Sequence, residues 1–309
     1  AQSEPAMNPI IAAALAMTLA TALFAAVSVV AKALGAGALG PAVGPVTVSV
    51  GRFVFGFLTV VLVAALLPRS PADHAAPAPH WGWHTARTAL GFTGSALMFA
   101  AVARMPLADA NALSFLSPVV TMLLAIPFLG ERVGPWRWAA AGIALAGALI
   151  LLRPGAGAIQ PAALLALGAA LAMGIEGIFI KKLAGREPPR QILLVNNGIG
   201  AAVGLVLAAF LMDWPQAPAV WAGLVAVGAI MVSGQFLFLL ASARGEASYV
   251  APFFYLVLVW AAVLDLAVFG VRPDATSLTG AATVLAGGAL LAWREALARR
   301  RARVLGTHP

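Results

Sequence analysis

The chain has 309 residues, 62% of them apolar and only 10% charged, with a mean hydropathy of +0.96 and a formal net charge of +8. A soluble globule carries about a quarter charged residues, so a surface this apolar belongs in a bilayer. Zero cysteines exclude disulfides, thiolate metal centres and cysteine nucleophiles, and the basic residues flank apolar runs instead of forming a nucleic-acid patch.

Residues 1–9 are polar, with Met7 read as the natural start. The first apolar run, 10–34, lacks a preceding basic stretch and is too long for a signal-peptide core, which predicts a retained transmembrane helix. Nine further runs follow at 45–67, 85–103, 107–129, 135–152, 162–183, 191–212, 221–243, 248–269 and 276–296. Most are about 20 residues long, so the expected fold is an all-α integral membrane protein of ten spans. Glycine and proline punctuate the connections, and the longest, 68–84, holds four prolines and no hydrophobic pattern.

Basic residues set the expected orientation. Counted on alternate connections they divide 14 to 4, the larger group including Arg69, Arg87 and the tail arginines, the smaller being Lys32, Arg104, Arg153 and Arg272. That asymmetry predicts a bacterial inner-membrane protein with both termini in the cytoplasm.

An ungapped offset of 140 aligns residues 103–153 with 243–293 at 12 identical positions of 51, about twice the chance rate for this composition. Arg104 meets Arg244, Gly130 meets Gly270 and Arg132 meets Arg272. Two five-helix repeats follow, 10–153 and 161–298, between the N-terminal segment 1–9 and a basic tail 299–309. Five is odd, so the second repeat enters the membrane inverted, an arrangement suited to alternating access around a midplane site.

Candidate functional residues come from polar groups at membrane depth, which are expensive unless paired or used. Glu176 is the deepest carboxylate, about 10 Å from the end of its helix, with proton coupling or an ammonium partner as its functional reading. Its plainer readings are a contact with the boundary near Lys181 or Lys182, or a tie between two helices. Arg52, Asp265 and Asp109 share one depth zone, so Arg52 is expected to pair with Asp265 or Asp109 as a gate. Gln235, Ser114 and Tyr255 are candidates for a polar head group, and Phe99, Phe115, Phe179 and Trp260 for an apolar portion of the substrate. Pro118 and Pro252 are candidate hinges. Gly142, Gly147, Gly280 and Gly287 are expected to bring the fifth and tenth helices together. The four histidines lie in polar stretches, so no metal or cofactor is expected, nor is an obligate protein partner.

Ser117-Pro118-Val119 and Leu129-Gly130-Glu131-Arg132, followed by Gly142 and Gly147, resemble the EamA-type repeat of the drug/metabolite transporter superfamily. The resemblance extends over essentially the whole chain. Within that superfamily it is similar to the bacterial amino-acid exporters of the YddG type, which implies export of aromatic and other neutral amino acids. Leu258 and Val271 replace the proline and glutamate in the second copy. Export of hydrophobic drugs or movement of other metabolites is the neighbouring reading. A membrane-embedded sensor or enzyme would need reactive side chains or a partner domain, and the sequence offers neither.

Overall fold

The computed structural model describes residues 9–66, 76–130, 134–152, 160–183, 186–211, 214–244, 253 and 255–304. The described elements are helices: α1 Pro9–Gly35, α2 Pro45–Leu66, α3 Trp81–Val102, α4 Leu107–Ser114, α5 Ser117–Leu129, α6 Pro135–Leu152, α7 Pro161–Leu183, α8 Pro189–Leu211, α9 Pro218–Arg244, α10 Leu256–Phe269 and α11 Ala275–Val304. Six of them begin on proline, whose missing N–H is no loss in a first turn and whose ring presets the helical φ. Gly130 and Gly270 close α5 and α10 in the left-handed conformation, at φ 67° and 69°. Only glycine adopts that conformation at little cost, so the pair matched in the sequence performs one stereochemical task twice.

By length and composition, α1, α2, the α4–α5 pair taken as one segment, α7, α8 and α9 can each cross a membrane, and shorter apolar stretches occupy α6, α10 and α11. Helix α3 carries His84, Arg87, Thr88 and Ser95 and falls outside both groups. Bulky apolar side chains cover the outside of the bundle, including Leu15, Leu62, Leu149, Phe210 and Leu278, all more than half exposed. In water this would be a large uncovered apolar surface; in lipid it is solvated.

The interior is built largely from alanine and glycine. Helix α6 lies along α11. A Cβ on Gly147 would sit 2.5 Å from the Val284 nitrogen, and one on Gly287 would sit 2.6 Å from the Ala144 nitrogen. Gly142 faces open space and takes no part in that contact, unlike its expected role. Elsewhere α1 packs on α9 and α3 on α7, α2 on α9 and α3 on α8, α5 on α7 and α1 on α10, while α2 packs on α8.

Three boundaries differ from the sequence expectation. Helix α3 starts at Trp81, four residues before the apolar run, because the amphipathic turn Trp81 to His84 continues the helix. Arg87 is therefore inside a helix and not on a connection; dropping it, and the buried Lys32, from the basic count leaves 13 to 3 and the same direction. The expected fourth span is two helices, broken at Phe115 and Leu116, where amides donate to carbonyls three residues back. Pro118, the candidate hinge, occupies the second position of α5, directly after that break. Finally, α11 runs on to Val304, so the basic stretch prolongs the last helix. Pro252, Glu131 and Arg132 lie outside the described residues.

Candidate functional site

Two inward-facing groups of side chains meet between helices of the two halves. The first is a charged cluster. Glu176 on α7 faces α3, where Arg87 Nε lies 3.3 Å from Glu176 Oε1. One turn further along α3, Gly91 leaves room for the carboxylate, and a Cβ there would be 3.1 Å from Oε2. One more turn on, Ser95 donates to the Gly91 carbonyl at 2.7 Å and accepts from Arg52 Nη1 on α2. Arg52 is within electrostatic reach of both Glu176 and Arg87, and its guanidinium stands 4.5 Å from the Phe53 ring centroid. Glu176 thus ties α7 to α3, one of its plainer readings, with Arg87 as its partner among the described side chains; that of Lys181 lies outside them.

Arg87 is the member of this cluster that the sequence reading did not single out. Counted with the preceding connection, it looked like a topology signal. The available signal was spacing: His84, Arg87, Thr88, Gly91 and Ser95 recur every three or four residues, a polar stripe on one helix face.

The ion pair expected of Arg52 with Asp265 or Asp109 is not formed. Lys32 takes Asp265 instead, Nζ to Oδ1 at 2.6 Å, while Oδ2 accepts the Leu107 amide at 2.8 Å. Lys32 is in the last turn of α1, three positions before Gly35, and Asp265 is four positions before the end of α10 at Phe269, so the two meet at similar depth. Arg52, seven positions into α2, is drawn to Ser95 and Glu176. Asp109 accepts the Ser277 hydroxyl at 2.8 Å, joining α4 to α11.

The second group is aromatic. Phe115, at the break between α4 and α5, and Tyr255, in the turn before α10, have ring centroids 5.3 Å apart. They are aligned by the offset of 140, so equivalent positions of the two copies touch. The Tyr255 hydroxyl lies against Gly288 of α11, where a Cβ would be 2.5 Å away. Ser114, beside the break, turns its hydroxyl back to the Asn111 carbonyl at 2.7 Å. Gln235 Oε1 and Trp260 Nε1 are buried polar atoms without a hydrogen-bond partner among the described residues. Phe179 is half-buried on α7. Phe99 lies apart from this pair; with Ala31, Val43, Pro45, Val48 and Arg104 it lines a cavity of about 290 Å³ near the C-terminal ends of α1 and α3.

At the opposite end of α3, Glu187 accepts hydrogen bonds from the His80 amide at 2.8 Å and from Gln191 at 2.9 Å, and its carboxylate contacts His80 Nδ1 at 2.9 Å and His84 Nε2 at 2.8 Å. Burial pushes this carboxyl up, but the four contacts outweigh it and hold the group at about 2. Among the described residues, no group of three or more His, Asp or Glu side chains is placed to hold a metal ion.

Lipid-facing helices around inward-facing charges and aromatics define an all-helical, multi-pass membrane protein. Comparison with known sequences makes that class specific. The EamA-like transporter family matches residues 8–153 and again 160–293, and the chain belongs to that family. A riboflavin transporter of Rhizobium johnstonii is 33% identical over 236 residues, covering 74% of this chain and 75% of its own. An S-adenosylmethionine uptake transporter of Rickettsia bellii is 27% identical over 218 residues, covering 69% and 72% respectively. A crystal structure with 20% identity covers 93% of this chain and 98% of its own at a TM-score of 0.60, and so shares the fold. The protein is a transporter of small molecules and not an enzyme.

Proposed function

We propose that the protein is a secondary carrier of small, flat aromatic metabolites, with riboflavin as the first candidate, working by alternating access between two inverted five-helix halves, 10–153 and 161–298. The observation that carries this reading is the Phe115–Tyr255 contact: residues equivalent under the offset of 140, Phe115 between α4 and α5 and Tyr255 in the turn before α10, with ring centroids 5.3 Å apart. Broken helices expose backbone polar groups where a substrate can use them, and aromatic faces favour a planar ring system. The packing supports the symmetry. Exchanging the first five segments for the last five turns α1 on α9 into α7 on α3, and α1 on α10 into α7 on the α4–α5 segment, while α2 on α8 and α6 on α11 map onto themselves. The 33% identity to a riboflavin transporter supports the substrate. The basic-residue asymmetry supports an inner-membrane location with cytoplasmic termini.

Export of aromatic or other neutral amino acids is the second reading, and one observation favours it. Arg52, Arg87 and Glu176 place both signs of charge beside one another at membrane depth, as the two ends of a zwitterion require. Purified protein in liposomes separates the readings. Riboflavin fluorescence leaving loaded vesicles faster than from protein-free vesicles supports the first, and efflux of labelled phenylalanine or tryptophan without riboflavin efflux supports the second. No flux of either kind contradicts both.

A further inference from the structure

We infer that Arg52 and Arg87 form a binding site for one small oxyanion, a carboxylate or phosphate group, within the bundle. The charges do not balance: two guanidinium groups face one carboxylate, Glu176, leaving one positive charge over. Every other polar contact in the cluster is neutral, namely the Ser95 hydroxyl and the Gly91 carbonyl. At the far end of the bundle the charges do balance, because Lys32 is matched by Asp265.

Donors point the same way. Arg87 is 7% exposed, its Nε faces Glu176 Oε1 at 3.3 Å, and among the described residues its Nη1 has no hydrogen-bond partner. Arg52 Nε is likewise buried and, among the described residues, without a hydrogen-bond partner. A guanidinium carries its donors in a planar fork that fits the two oxygens of a carboxylate or phosphate, and leaving them unmatched away from water is expensive. Two such groups from adjacent helices therefore define a receptor for an oxyanion. Glu176 is the internal competitor for it, held against Arg87 by the space at Gly91.

The group could belong to a transported molecule or to a separate co-transported ion. Thermal unfolding of the purified full chain tests the site without relying on flux, with sodium formate or sodium phosphate added and ionic strength balanced by the bulky reference anion gluconate. Wild-type protein is expected to show a saturable rise in its midpoint with formate or phosphate, because a ligand bound only to the folded state raises its stability. Glu176→Gln removes the competitor and should reach half-saturation at lower formate. Arg87→Gln and Arg52→Gln should lose the rise, while Arg87→Lys should keep part of it. Identical midpoints in formate, phosphate and gluconate, for both wild type and Glu176→Gln, would overturn the proposal even if an Arg variant fails to fold. For the source of the anion, an imposed formate or phosphate gradient that drives riboflavin flux identifies a co-ion, and formate that only competes with substrate identifies an acidic group on the cargo. Absence of riboflavin flux together with an anion-dependent midpoint would contradict the substrate reading and leave the site standing.

Discussion

Phe115 and Tyr255 stand 140 positions apart in the chain with ring centroids 5.3 Å apart, Phe115 between α4 and α5 and Tyr255 in the turn that precedes α10. In the proposed arrangement of two inverted halves, equivalent residues touch where a pseudo-twofold axis passes through the molecule. Aromatic pairs in this geometry contribute about 0.5–1.5 kcal/mol beyond area burial.

Loss of either ring should therefore damage transport more than folding. Phe115→Ala and Tyr255→Ala are expected to lower flux about tenfold, equivalent to roughly 1.4 kcal/mol, while Tyr255→Phe keeps most of it. Initial rates in liposomes at equal reconstituted protein check this, with the gel-filtration profile as the control for folding.

The charged cluster makes a stability prediction. Arg87→Ala removes the guanidinium 3.3 Å from Glu176 and leaves Arg52 as the remaining cation of the cluster, so the variant should melt below wild type. Arg87→Ala combined with Glu176→Ala removes both members of the close pair, and its loss should differ from the sum of the two single losses. Additive losses would show that the two residues are not coupled.

Glu187 links stability to pH. Its carboxyl is held at about 2 in the folded protein, against an ordinary value of 4.5. A folded value below the unfolded one means that the stabilisation is complete above about 4.5 and fades as pH falls from there toward 2. Melting curves between pH 6 and 3 should show wild type losing stability over the lower part of that range. Glu187→Gln should start less stable at pH 6 and change less, and parallel curves for the two proteins would remove Glu187 from the account.

Close packing of α6 on α11 rests on two glycines. Gly147→Leu and Gly287→Leu would drive side chains into backbone atoms 2.5 and 2.6 Å from the new Cβ, and each should lower stability by roughly 1–3 kcal/mol or more. Gly142→Leu, facing open space, is the matched control and should be near neutral. Melting midpoints of the three variants decide it.

Much of the architecture was legible because it follows from local chemistry. Long apolar runs specify helices in a bilayer, proline marks their starts, and the Gly130 and Gly270 match marks two equivalent ends before any coordinates are consulted. What escaped was the choice of partner. Lys32 and Asp265 are 233 residues apart, and a lone buried charge says that it needs a counter-charge without saying which one. Arg52 meets Ser95 and the Glu176–Arg87 pair instead of Asp265 or Asp109, a choice of partner that its position in the chain does not encode. The break at Phe115 was read as a proline kink at Pro118. The helix stops at Ser114, four residues earlier, and the proline sits where a new first turn tolerates it.

The proposed carrier mechanism is tested most directly by counterflow. Liposomes containing the purified protein are loaded with unlabelled riboflavin and diluted into a trace of labelled riboflavin. A carrier that exposes one site alternately to the two sides should accumulate the label transiently above its equilibrium level, and Tyr255→Ala should show a much smaller overshoot. Label that merely equilibrates, at the rate seen in protein-free vesicles or with no overshoot, would contradict alternating access of this substrate.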